Sequence, residues 1–218
     1  MTTQSSAQRL SFADRLRPIV RTVRRAVLDM RSWRARSYAG PSPKAVKDRV
    51  LYRNAFAGGT WVETGTFLGE TTALLAQGSG HVYSLEPASG LYQRAAAKFS
   101  SVKNVTIING PSESEFPNLL PTLKGPINFW LDGHFSAGVT FQGELDSPIL
   151  AELSAIEQNF EHLQPVCVLI DDIRCFDPSH PEYASYPSLD SLVDWARKHG
   201  LVWHIEHDIM VMRSKPQT

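Results

Sequence analysis

Carboxylates fall at the ends of apolar runs in this chain. Glu63 follows "TWV", Glu86 follows "HVYSL", Asp132 follows "INFWL", and the pair Asp171-Asp172 follows "VCVLI". A charge at the end of a buried strand is costly unless it binds something. The first two acids bracket a glycine turn, "ETGTFLGETT", residues 63–72. Its glycines, Gly65 and Gly69, invite the idea of a phosphate loop. That loop needs four residues between its glycines and then Lys-Ser/Thr. Here three residues intervene, and Glu70 stands in the place of the lysine. Two carboxylates in such a turn would repel a triphosphate. The turn suits a ligand that accepts nearby negative charge, or it serves only to join a strand to a helix.

The elements that carry these acids alternate. Apolar runs predict strands at "TWVET", "HVYSLEP", "NVTIING", "PINFWLDG" and "VCVLIDD". Helical patterns lie at "GETTALLAQG", "GLYQRAAAKFS", "SEFPNLLPTL" (broken), "PILAELSAIEQNFE" and "SLDSLVDWARKHG". "LVWHIEHDIMVMR" predicts a terminal hairpin turning at His207-Asp208. Strands alternating with helices imply a doubly wound α/β sheet of seven strands. It is Rossmann-like and mostly parallel, with helices on both faces and an antiparallel strand from the hairpin. In such sheets ligands bind outside the C-terminal ends of the strands, where all of these acids lie. Glu86 follows Gly65 by 21 residues at the end of the next strand. That is the place from which an acid grips the ribose hydroxyls of an adenosine ligand.

Charge is zero overall but unevenly spread. Residues 1–50 hold 12 Lys/Arg against 3 Asp, a net +9, and the remainder holds 10 against 19 acids, a net −9. An acidic body argues against nucleic acid as a partner. In "RPIVRTVRRAVLDMRSW" apolar residues recur at helical spacing with arginines opposite. This basic helix packs on the domain or on a second copy in a homodimer, or lies on a membrane surface; its arginine-rich, acid-poor composition is also that of a transit peptide. The predicted organisation is a basic arm and linker over 1–45 and one domain over 46–218. Cys167 and Cys175 lack metal-ligand spacing, and two cysteines make no disulfide framework. No apolar run approaches a membrane span of ~20 residues, so a cytoplasmic protein is expected.

"VETGTFLGETT", "VYSLEP" and "NGPSES" resemble the first three motifs of class I S-adenosylmethionine-dependent methyltransferases. The resemblance covers about residues 50–213. It implies cofactor contacts from Glu63, Thr64, Gly65, Thr66, Phe67, Gly69, Thr71, Glu86, Ser112 and Asp132. S-Adenosylmethionine carries an ammonium and a sulfonium and no phosphate, which suits an acidic turn. "FWLDGHF" and "VLIDDIR" are similar to the metal-dependent O-methyltransferases that act on sugar hydroxyls and, more distantly, on catechols. The resemblance implies magnesium held by Asp132, Asp171 and Asp172, and a small-molecule or sugar hydroxyl as acceptor. Three carboxylates are also the oxygen ligands that a hard cation takes; the Asp pair could instead cap the loop that follows it. Relatives carry an acidic base two residues beyond the first metal aspartate, where this chain has His134. Histidine, with an ordinary pKa near ~6.5, suits proton removal near neutral pH; a hydrogen bond to a loop carbonyl is the other account of it. The expected activity is magnesium-assisted O-methylation with Asp132 and His134 at the chemistry. The alternatives are a non-catalytic cofactor-binding protein or a metal-dependent relative with another reaction, such as hydroxylation.

Overall fold

A computed structural model describes residues 12–132 and 147–215, with side chains from Val23 onward. Seven strands form one sheet: β1 (Thr60–Thr64), β2 (His81–Glu86), β3 (Val105–Asn109), β4 (Ile127–Leu131), β5 (Val166–Ile170), β6 (Val202–Glu206) and β7 (Ile209–Arg213). Their order is β3-β2-β1-β4-β5-β7-β6. The first five are parallel, and β7 runs antiparallel between β5 and β6. β4 and β5 are buried throughout, as expected of strands covered on both faces. The predicted hairpin turns at His207 and Asp208, both with positive φ, as a tight two-residue hairpin requires.

Seven helices surround the sheet among the described residues: α1 (Phe12–Ala35), α2 (Lys44–Asn54), α3 (Glu70–Leu75), α4 (Ser89–Phe99), α5 (Ser112–Leu119), α6 (Ile149–Gln158) and α7 (Leu189–Lys198). One face of the sheet packs a core of Phe116 from α5, Leu153 and Ile156 from α6, Leu192 and Ala196 from α7, and Phe129. The other face packs Val50 and Leu51 of α2 and Leu75 of α3 on Trp61, Val82, Ile209 and Val211. Ser188 caps α7 by accepting the Ser191 amide. The predicted broken helix is α5, extended by a 3-10 turn over Leu120–Thr122.

The basic arm is helical as its periodicity predicts. Trp33 docks edge-on against Tyr38 and His207 and is buried, while Val23, Val27 and Met30 remain exposed. Helix α2 went unread in the sequence, because only Val50 and Leu51 of its eleven residues are buried. Among the described residues no helix is long and apolar enough to cross a membrane.

Candidate active site at the strand ends

The crevice lies where β1 has β2 on one side and β4 on the other, the point from which the sheet winds both ways. The turn after β1 is tight because the amides of Gly65 and Thr66 both donate to the Leu85 carbonyl. Gly69 is required there twice over. Its φ is +64°, and a Cβ would stand 2.6 Å from the Phe99 ring. Lys98 braces the turn from behind, donating to the carbonyls of Leu68 and Gly69 at 2.7 and 2.8 Å. Gly65, at φ +88°, faces the end of β4: among the described residues a Cβ would meet only Asp132, at 3.9 Å.

Two buried carboxylates shape the β1–β2 side. Glu63 Oε2 accepts the hydroxyls of Thr72 and Ser84, each at 2.6 Å. Ser84 in turn meets the Thr66 hydroxyl at 2.6 Å. Burial pushes the Glu63 carboxyl up to about 7, against the pull of these two hydroxyls. Thr72 thus turns inward, whereas the expected Thr71 is half-buried beside it. Glu86 accepts the amides of Phe67 and Ala88, at 2.8 and 2.9 Å, one on each oxygen. Phe67 holds φ +47° and is half-exposed. The carboxylate of Glu86 therefore ties the glycine turn to the end of β2, with a lone pair left on each oxygen.

On the β3 side, Ser112 opens α5 and is buried. Its hydroxyl donates to Glu152 Oε1 of α6 at 2.6 Å. Glu152 went unread in the sequence, since an acid in a helix usually faces water. Burial pushes its carboxyl up to about 7, opposed by the Ser112 and Thr64 hydroxyls. Thr64 lies near enough to favour the charged form but makes no hydrogen bond of ordinary geometry, and Glu152 Oε2 has no partner among the described residues.

Asp132, Asp171 and Asp172 come together, each placing a carboxylate oxygen within 4.8 Å of the others. Two cations that nothing in the sequence marked as partners meet Asp171 and Asp172. Lys47 of α2 donates to both oxygens of Asp171, at 2.7 and 2.6 Å, and to Asp172 at 3.0 Å. Arg174 donates to Asp172 at 2.7 Å and pairs with Asp208 in the hairpin turn. Burial works against the charge on Lys47, but the two aspartates outweigh it and raise its pKa. Burial likewise pushes Asp171 up against the pull of Lys47. We assign the proton to Lys47, because three donated hydrogen bonds require an ammonium. Asp172 is held below the ordinary carboxylate range: burial opposes its charge, and Arg174 and Lys47 overcome it. The oxygen donors suit magnesium in kind, but an ammonium already sits between Asp171 and Asp172. A divalent ion fits this set only once Lys47 has withdrawn. His134 lies outside the described residues.

Cys167 is packing, as its place inside a strand predicts. It is fully buried in β5, and burial pushes its thiol up to about 12.

No protein-family model and no curated protein matches the sequence. Solved structures do match in shape. A Streptococcus mutans protein, named as a methyltransferase and solved in complex with SAH, superposes with TM-score 0.51 at 12% identity over 81% of this chain and 100% of its own. A Clostridium thermocellum protein named as an rRNA methylase gives TM-score 0.53 at 11% identity over 80% and 97%. The N-methyltransferase NodS from Bradyrhizobium japonicum gives 0.52 at 12% identity over 77% and 92%. At these identities the likeness concerns architecture. The expected sheet is thereby borne out: seven strands, mostly parallel and closed by an antiparallel hairpin, in the Rossmann-like fold that S-adenosylmethionine-dependent methyltransferases share.

Proposed function

We propose that this protein transfers the methyl group of S-adenosylmethionine to a hydroxyl oxygen of a small molecule or sugar. The observation that carries the proposal is the gathering of five carboxylates at the C-terminal ends of neighbouring strands. Glu63 and Glu86 end β1 and β2, and Asp132, Asp171 and Asp172 follow β4 and β5. The cofactor supplies an electrophilic methyl on a sulfonium centre. Glu86 accepts the ribose hydroxyls, and its backbone partners keep it fixed. Glu63 offers negative charge to the cofactor's cationic methionine end. Ser112, oriented by Glu152, borders the adenine side. Asp132 faces the acceptor, and His134 takes the acceptor proton. Proximity of aligned groups accounts for much of the rate in such a site. Lys47 stands between two of the aspartates that magnesium would need, so the chain's own side chains carry the proton transfer.

Glu86→Ala is expected to weaken S-adenosylhomocysteine binding by about 1.5–3 kcal/mol, the scale of hydrogen bonds to a charged group. Calorimetry measures this directly, and an unchanged affinity rules out Glu86 as the ribose anchor.

Cofactor binding is also expected to release protons near pH 6. Free of ligand, Glu63 holds its proton up to about pH 7. A bound cation favours the carboxylate, so affinity rises as pH climbs through 7. Titration in two buffers of different ionisation enthalpy reads the proton count, and Glu63→Gln should abolish the release. Equal apparent enthalpies in both buffers would contradict the assignment. The same shift sets the stability of the ligand-free protein. The folded state keeps protons on Glu63 and Glu152 that the unfolded chain loses near 4.5. Stability from these groups therefore falls as pH rises from 4.5 to 7 and levels off above.

A further inference from the structure

Lys47 precedes the other site residues in the chain, on α2, and makes close charged contacts with two of them. Its ammonium uses all three protons on Asp171 and Asp172, at 2.6–3.0 Å. The three side chains are mostly buried, at 17%, 7% and 13% exposure. Lys47 shares one face of α2 with Val50 and Leu51, three and four residues on, and those two are locked into the core beneath the sheet. The ammonium is therefore delivered by a fixed element. Asp171 has little capacity left. Its Oδ1 accepts Lys47 and the Asp172 amide, and its Oδ2 accepts Lys47 again. Arg174 covers Asp172 from the hairpin side.

We propose that Lys47 is the resident cation of the strand-end carboxylates and takes the place of a divalent metal ion. The lysine neutralises Asp171 and holds the aspartates in register, so the acceptor side of the crevice is ordered without a bound metal. A metal arriving there would meet an ammonium within bonding distance of two of its three ligands, and this repulsion lowers its affinity. The proposal rests on the three aspartates forming the acceptor side of a methyl-transfer site, but its test does not depend on turnover.

The probe is Mn²⁺ alone, titrated into the full chain and read as loss of the free-ion electron paramagnetic resonance signal. Mn²⁺ takes the same hard oxygen ligands as magnesium. The wild-type protein should show no binding below about 1 mM, weaker than a working carboxylate site. Lys47→Met should bind at least about tenfold more tightly than wild type, because a like charge has been removed. Lys47→Arg, which keeps the charge, should behave as wild type. Equal affinity in wild type and Lys47→Met, whether tight or absent, overturns the proposal. So does wild-type binding at about 100 μM or better, a result that needs no variant to fold. S-Adenosylhomocysteine calorimetry on the wild type separately reads the cofactor assignment. Loss of that signal with the Mn²⁺ contrast intact would remove the methyltransferase and leave the lysine in place.

Discussion

His134→Ala should slow methyl transfer by about 10²–10⁴-fold, the usual worth of a positioned general base. His134 follows Asp132 by two residues in the chain, and imidazole takes a proton well near neutral pH. The deficit should shrink as pH rises, since hydroxide can then remove the acceptor proton. S-Adenosylhomocysteine release against a panel of polyhydroxylated acceptors gives the rate, and cofactor affinity should stay unchanged. A variant with normal turnover and a raised acceptor KM makes His134 a substrate-positioning residue instead.

Asp171→Ala should cost about 3 kcal/mol of folding stability, at the low end for breaking a buried ion pair, because Asp172 still faces the stranded lysine. Urea unfolding with an unchanged slope would read this loss as a lower midpoint. Replacing both partners with apolar residues, Lys47→Met with Asp171→Leu, should recover most of it, since no buried charge is then left alone. A single-variant loss below about 1 kcal/mol would place the pair among exposed bridges of little worth.

The sheet was legible because its signals are local. "VCVLI" and "INFWL" are continuous apolar runs, and both are buried strands. Gly69 announced its turn because only glycine fits both the left-handed backbone and the Phe99 contact. The acids at the strand ends were legible as a group, but the solution to their charge was not. Burial of a charge predicts that a partner exists and says nothing of its place in the chain. Lys47 sits on a helix whose buried face is two residues wide, too narrow to register as a period. Thr72 and Ser84 read as ordinary polar residues until the fold turned both hydroxyls onto Glu63. Glu152 meets Ser112 across 40 residues.

Helix α2 packs on β7, the strand of the sheet that comes latest in chain order among the described residues, through Val50, Leu51, Ile209 and Val211. Ser42 also donates to the His207 carbonyl, across 165 residues. Long loops must close before such contacts stabilise anything, which slows folding. During synthesis Asp171 emerges before the hairpin that helps seat α2, so its carboxylate waits for Lys47 until that hairpin has followed. Assembly of the acceptor side is thus a late event, and a nascent chain lacking β7 holds the aspartates without the docked helix that neutralises them.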